Sequence, residues 1–459
     1  MRGLLLAGLR LASGNPVAAT RVGGLSLLER AAFVARDAGV TAAVVVAERP
    51  LQAFLRAAVE RDDLGVELTY ADPLTERDTI LSWLEGEEPV AVVRADVAHT
   101  RHASPALRDA EPGEILVDER EGPLRGAEGL RLATGPTWVG LALLPPSALG
   151  SLIDGLGREP TRGDLLGLDV LVAVGRAQTV PVTGLPWQAV RSAAETRAAE
   201  RLLLGSLVQP TEGWVAVHVD RPLSARVTRL LADAPVHPDH ASLAVLLLGL
   251  AGCAAVASGG RYLLPLLGAF LVRCAAVLAG VDGGLARLRY QGSSIGAWLD
   301  TAGGDITTLA CIMAVTANLA RFGNSAIWTG MGVCAAVCTV IAVAVSYTYL
   351  ISTGSSRRDD FPTGLEPGGS ATTPARKVWG VIGQLSQRDA QTLVLLVGAA
   401  VGLLQIATVC YFVGAVATCV ATVRRRLQLR RETTAEHGTA LTGTDTGPDR
   451  PEPGARPPQ

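Results

Sequence analysis

Hydrophobic and polar positions follow two different rules along this chain. Through residues 1–200, short apolar runs alternate with amphipathic stretches. Gly3 to Leu6, Ala42 to Ala47 and Pro89 to Val93 are apolar runs of strand length. Between the first two, Leu25 to Ala38 places apolar residues at helical spacing. Strand–helix–strand alternation predicts an α/β domain with a largely parallel, Rossmann-like sheet. Residues 195–233 read as helical, interrupted near Pro210 and Gly213. From residue 243 the alternation gives way to long apolar runs. Six spans are expected, at about 243–259, 262–281, 298–320, 327–351, 390–406 and 407–423, several of them near the 20 or so residues that cross a bilayer core. The last two form one stretch, split near Gln405 as a tight hairpin. The expected organisation is an α/β domain at 1–200, linker helices at 201–240, and an all-α six-helix transmembrane bundle at 241–427. Residues 354–375 and the tail 428–459 are rich in Gly, Ser, Thr and Pro or otherwise polar, and are expected to be disordered.

Composition agrees with this division. The 459 residues are 49% hydrophobic and 18% charged, and the positive mean hydropathy of +0.32 averages over two unlike halves. A formal net charge of -2 gives no case for a nucleic-acid partner. All seven cysteines lie in the apolar half with no C-x-x-C pair, as small soft residues of membrane helices do. The opening MRGLLLAGL has too short an apolar run for a signal peptide and reads as a first strand, which keeps the N-terminal half in the cytosol. Basic residues then set an expected orientation. With both termini inside, the inner loops carry Arg287, Arg289, Arg357, Arg358, Arg376, Lys377 and Arg388, and the C-terminal flank adds Arg424, Arg425, Arg426, Arg430 and Arg431. The outer loops carry Arg261 and Arg321. A multi-pass plasma-membrane protein is expected.

Within the apolar half, Asp282-Gly283-Gly284-Leu285-Ala286-Arg287 is followed after eight residues by Gly296 and then Asp300. This D-G-x-x-A-R-x8-G-x-x-x-D run resembles the signature of the CDP-alcohol phosphotransferase family, whose full form has one more Asp before and one after. Those two positions hold Ala279 and Gly304 here, with Asp305 next in line. Hard divalent cations take carboxylate oxygens, and a pyrophosphate substrate needs such a cation. The resemblance therefore implies Mg²⁺ or Mn²⁺ on Asp282, Asp300 and Asp305. It also implies a catalytic role for Asp300 and Asp305, and a substrate cradle of Gly283, Ala286, Arg287 and Gly296. A shift of one residue turns a helical side chain by about 100°, so Asp305 replaces the missing Asp only where Gly303-Gly304 loosens the helix.

Arg273 lies inside the second span, where a charge marks a functional candidate. It serves either a phosphate or carboxylate, or a helix carbonyl. The stretch Arg221-Pro222-Leu223-Ser224 and His237-Pro238-Asp239-His240-Ala241-Ser242 is similar to the family's juxtamembrane segment. His237 and His240 read as solvated interface residues rather than a metal pair.

The first half resembles, more distantly, nucleotidyltransferases that activate sugar or inositol phosphates. The resemblance rests on Leu4 to Gly8, on Val22 to Arg30, on Ala38-Gly39-Val40 with Val44 to Val46, on Val92 to Asp96, and on Pro186-Trp187 with Ala199-Glu200. Asp96 falls where that family holds a metal. The phosphate loop, Leu9 to Pro16, has one Gly and no Lys, and the first Lys of the chain is Lys377, so Arg10 or Arg21 is left for a phosphate. The two halves together resemble bifunctional inositol-phosphate cytidylyltransferase and di-inositol-phosphate phosphate synthase proteins, which implies a CDP-alcohol, an alcohol or lipid acceptor, membrane lipids and a homodimer. Two functions stay open: a transferase that releases CMP, and a catalytically impaired relative that binds nucleotide or lipid or acts as a scaffold.

Overall fold

A computed structural model describes residues 1–120, 130–158, 162–207, 213–232, 234, 238–260, 262–323, 325–354, 361 and 374–442. The chain divides into two compact units. The first comprises Met1–Gln209, Pro222–Pro238 and Gly280–Ser293, and the second Pro210–Arg221, Asp239–Ala279 and Ser294–Gln459.

The first unit is built on one sheet of seven described strands. In chain order these are β1 (Arg2–Leu6), β2 (Ala42–Val46), β3 (Glu67–Ala71), β4 (Val90–Arg94), β5 (Glu114–Asp118), β6 (Thr137–Leu144) and β7 (Gln178–Pro181). They lie in the order β7-β5-β6-β4-β1-β2-β3. The pairs β1–β2, β1–β4, β2–β3 and β5–β7 are parallel, while β6 runs antiparallel to both β4 and β5. The apolar runs expected as strands are β1, β2 and β4. Each is buried on both faces, which is why it reads as a continuous apolar run rather than an alternation.

The helix at Leu27–Asp37 starts where its caps say it should. Ser26 accepts from the backbone N–H of Glu29 at 3.2 Å, and Glu29 accepts from the N–H of Ser26 at 2.8 Å, the reciprocal arrangement that satisfies two otherwise orphaned donors. The other oxygen of Glu29 accepts from the N–H groups of Glu60 and Arg61. This buried carboxylate is therefore spent on structure.

The second unit is all-α. Five helices among the described residues are long and apolar enough to cross a membrane: Asp239–Ser258, Leu263–Leu288, Ile295–Gly323, Ala326–Thr353 and Leu404–Arg431. The fifth span expected from the sequence, at 390–406, is the 13-residue helix Arg388–Ala400. At 1.5 Å per residue that is about 20 Å, short of a bilayer core. It turns at Gly402, whose φ of +71° is the left-handed geometry a glycine takes at a helix end, into the helix Leu404–Thr442. That helix also corrects the expected tail. It runs past residue 428 because extending a formed helix costs far less than starting one. Residues 443–459 and nearly all of the expected disordered loop 354–375 lie outside the described residues.

Small residues let these helices meet closely. A Cβ on Gly252 would stand 2.7 Å from the carbonyl of Gly268, and one on Gly268 would stand 2.7 Å from the N of Val256. Around this crossing Cys253, Val256, Ala269, Val272, Cys311 and Val315 form a buried apolar core. Asn318 ties it off by donating to the carbonyls of Val256 and Gly259 at 2.8 and 2.9 Å. All seven cysteines are free thiols.

Candidate functional site

The signature falls on two consecutive helices. Asp282, Gly283, Ala286 and Arg287 occupy the last two turns of Leu263–Leu288, and Gly296, Asp300 and Asp305 the first half of Ser294–Asn318. The six residues Asp282–Arg287 belong to the first unit, and Gly296, Asp300 and Asp305 to the second.

In the first unit, Gly283 and Arg287 are brought together. The Arg287 guanidinium folds back one turn, and its Nη1 would lie 3.4 Å from a Cβ on Gly283. Asp282 is buried at 3% exposure, and its Oδ1 accepts from the N–H of Gly283 at 2.6 Å. Gly284 faces Thr228, whose Oγ1 would be 3.1 Å from an added Cβ, so the segment Arg221–Leu231 packs directly on the signature backbone.

In the second unit, the helix Ser294–Asn318 runs unbroken through Gly303-Gly304, with the Thr307 and Thr308 hydroxyls donating back to the carbonyls of Gly303 and Gly304 at 2.8 and 2.9 Å. Asp305 therefore does not swing into the place of the missing carboxylate. Five residues of helix set it about 140° around from Asp300, and accordingly Asp300 is exposed while Asp305 is buried. Asp300 and Asp305 do not share a face, so the expected joint use of the two on one ion is not what the helix offers. Position 304 holds a cation instead. Nη1 of Arg388 lies 2.5 Å from where a Cβ on Gly304 would stand. Arg388 forms no ion pair or hydrogen bond among the described residues. Its place could not be read from the sequence, since 84 positions separate the two (388 minus 304).

Arg273 has the carboxylate partner that the sequence left open. Its guanidinium forms a two-pronged pair with Asp220, one arm at 3.2 Å, and adds bonds to Thr392 Oγ1 at 3.2 Å and to the Asp389 carbonyl at 3.3 Å. Burial pushes the Asp220 carboxyl up, against the pull of Arg273. Asp389 in turn accepts from the backbone N–H of Ala216 at 2.7 Å. These contacts tie the Ala216–Asp220 turn to two helices and leave Arg273 committed to structure.

The sites expected in the α/β unit are also committed. Both oxygens of Asp96 are held by Arg94, at 2.6 and 3.2 Å, and the same guanidinium pairs with Asp164. All three are buried. Burial alone would lower the Arg94 pKa, but Asp164 and Asp96 outweigh it and keep the guanidinium charged. A metal does not fit at Asp96, because the Arg94 guanidinium already lies against both of its oxygens in a buried cluster. Beside it, burial pushes His99 down to about 4. The ring is neutral, with Nε2 donating to the Val139 carbonyl at 2.8 Å. Of the two phosphate candidates, Arg10 is paired with Glu48, and Arg21 with Glu60 at 2.5 Å. The loop closes on itself through Leu11 N–H to Asn15 at 2.8 Å and Val17 N–H to Leu9 at 2.9 Å. Trp187 donates to Asp118 at 2.9 Å.

Among the described residues no three His, Cys, Asp or Glu side chains gather closely enough to form a ready metal cage. The donor types at Asp282 and Asp300 are nevertheless those a hard divalent cation takes. Such an ion is commonly held by one or two carboxylates together with substrate phosphates rather than by a protein cage, a mode that either carboxylate can serve.

A seven-stranded α/β unit followed by helices able to span a bilayer defines a two-unit, membrane-associated protein. The chain is similar to proteins named for a transferase and a synthase activity. It is 27% identical over 307 residues to the bifunctional IPC transferase and DIPP synthase of Rubrobacter xylanophilus, covering 62% of this chain and 69% of the relative. It is 25% identical over 317 residues to the protein of the same name from Thermococcus kodakarensis, covering 65% and 71%. Among solved structures, the inositol-1-phosphate CTP transferase from T. maritima aligns with a TM-score of 0.34 at 15% identity, covering 44% of this chain and 94% of that one. No family model matches the chain.

Proposed function

We propose that the chain is a membrane transferase that moves a phospho-alcohol group from a CDP-alcohol to an acceptor hydroxyl and releases CMP. The observation that carries this reading is the D-G-x-x-A-R…G-x-x-x-D spacing on two consecutive helices, in a chain similar to enzymes named for IPC transfer and DIPP synthesis. The acceptor oxygen forms a bond to the phosphorus that carries the alcohol. The pyrophosphate P–O bond breaks, CMP leaves with the electron pair, and the acceptor proton passes to solvent or a carboxylate. Asp282 and Asp300 would hold Mg²⁺ or Mn²⁺, which neutralises the pyrophosphate as charge develops on the leaving oxygen. Gly283 and Ala286 leave the helix surface open to the nucleotide, with Gly296 doing the same on the next helix. Arg287, folded toward Gly283, binds a phosphate oxygen. Asp305 takes no share in the ion on this reading. Both termini would face the cytosol, and two copies would pair through their membrane helices.

The test is CMP release by purified protein in lipid, assayed over a panel of CDP-alcohols with Mg²⁺, Mn²⁺ or chelator. Release that needs the metal and drops at least about 100-fold in Asp282→Asn supports the reading. Release unchanged by that substitution overturns the site.

A second reading is favoured by Ala279 and by the Arg388 guanidinium at Gly304: a relative that binds nucleotide or lipid without turnover. An Asp introduced at 304 alone would pair with Arg388, so the discriminating variant is Ala279→Asp, Gly304→Asp and Arg388→Ala combined. CMP release that appears only in this triple variant selects the second reading.

A further inference from the structure

The α/β unit has its phosphate loop closed and its Asp96 held by Arg94, yet it is densely attached to one particular segment. We propose that this unit acts as a positioning clamp for the D-G-x-x-A-R helix end, with Tyr290 as the residue that locks it. The proposal rests on the transfer reading for the importance of that helix end. The clamp itself is a statement about the first unit alone.

Ring stacking, carbonyl capping and apolar packing build it together. Tyr290, two residues after the helix ends, is 5% exposed and belongs to the apolar core formed by the sheet and its helices. Its ring stacks on Phe33, with centroids 4.9 Å apart and planes within 8°. Arg101 lies over the Tyr290 ring at 4.7 Å, and Arg36 and Arg61 lie over Phe33 at 4.7 and 5.4 Å. The result is a cation–aromatic–aromatic–cation stack. Two of the same arginines also cap the signature helix: Arg101 donates to the Ala286 carbonyl at 3.4 Å, and Arg61 to the Arg289 carbonyl at 3.2 Å. Cations at a helix C-terminus satisfy orphaned carbonyls and oppose the helix dipole. Arg289 does the reciprocal service for the neighbouring helix, donating to the carbonyls of Leu231, Ala232 and Ala234 at 2.5, 2.5 and 2.6 Å. Leu288 fills the space over Gly23, where an added Cβ would stand 2.9 Å from its Cδ1.

The backbone of Tyr290 sharpens the case. Its φ of +56° makes it the one left-handed non-glycine among the described residues, a conformation in which glycine is the unstrained choice. What offsets that strain is the ring, which stacks on Phe33 and fills the apolar core. Every residue of this network lies in the first unit, so the D-G-x-x-A-R end is held to the α/β core by aromatic stacking and carbonyl capping.

The test separates ring, backbone and capping in the full chain in lipid. Amide hydrogen exchange over residues 282–289 is read beside the KM and kcat for CMP release. Tyr290→Phe keeps the stack and is expected to match the wild type in both. Tyr290→Gly relaxes the backbone but removes the ring. It is expected to speed exchange over 282–289 at least tenfold and to raise KM at least tenfold with kcat within threefold. Arg101→Gln leaves the core intact, guarding against a Tyr290 variant that fails to fold, and is expected to speed exchange at 286–289 about threefold or more. Tyr290→Gly or Arg101→Gln with wild-type exchange overturns the clamp. Wild-type protein that releases no CMP overturns the transfer reading instead, and the exchange measurements still decide the clamp.

Discussion

Both units bury an arginine, and they do it differently. In the α/β unit, Arg94 serves two carboxylates, Asp96 and Asp164, and lies 5.8 Å from the Trp138 ring. In the helical unit, Arg273 serves one carboxylate, Asp220, and completes its bonding with a hydroxyl and a carbonyl. In both clusters burial pushes a carboxyl up against the pull of the arginine, Asp164 in the first and Asp220 in the second. An unmatched buried charge is expensive in either setting, and each arginine has a carboxylate within reach. The difference also bears on function. In the α/β unit the guanidinium sits on the carboxylate that the resemblance assigns to a metal. In the helical unit the buried arginine sits on Asp220, a carboxylate that the resemblance does not assign to a metal.

The comparison breaks most readily at Arg94. Arg94→Met leaves two carboxylates buried without their partner and is expected to cost the α/β unit about 3–5 kcal/mol in urea unfolding followed by tryptophan fluorescence; a loss under about 1 kcal/mol would mean the cluster is not charged. Next comes His99. Buried and neutral in the fold, with a pKa of about 4 against 6.5 as its ordinary value, it takes up a proton more readily when unfolded. Stability is therefore full above about pH 6.5 and falls as pH drops toward 4, by about 3 kcal/mol. His99→Gln should flatten that part of the pH profile, and a profile equally steep in the variant would assign the slope to other groups. Arg273→Met should be milder, about 2 kcal/mol, because the Asp220 carboxyl, already pushed up by burial, can take a proton. Its melting temperature deficit should shrink at low pH, and a deficit that grows there would contradict the neutral-pair account. Smallest is Ser26→Ala, a lost cap worth about 1 kcal/mol, visible as a lower urea midpoint with unchanged slope.

The two regions also differ in how far the sequence could be read. β1, β2 and β4 were readable because a strand buried on both faces is an unbroken apolar run. The signature was readable because its spacing lies within two consecutive helices. What stayed hidden depends on distant pairing. Asp220 is 53 positions from Arg273, and no local pattern marks it as a partner. Tyr290 carries no periodicity that announces Phe33 or Arg101. Arg388 was visible as a loop charge, but its seat over Gly304 was not. Asp305 was placed beside Asp300 by proximity along the chain, and only the regularity of the helix through Gly303-Gly304 sends it to another face. The fifth span failed on length: its apolar composition is shared by a 13-residue helix, a turn and the start of the next helix.

The 39-residue helix Leu404–Thr442 is in effect a ruler. At about 1.5 Å per residue it measures roughly 58 Å, about twice the hydrocarbon thickness. Where it crosses near-upright, some 25 Å lies outside the hydrocarbon, shared between the headgroup layers and water. The end with Arg424, Arg425, Arg426, Arg430 and Arg431 is the one suited to leave the hydrocarbon. A label fixed at the far end of such a mast reports on the aqueous layer several lipid headgroups deep, and its distance from the bilayer measures how upright the helix stands.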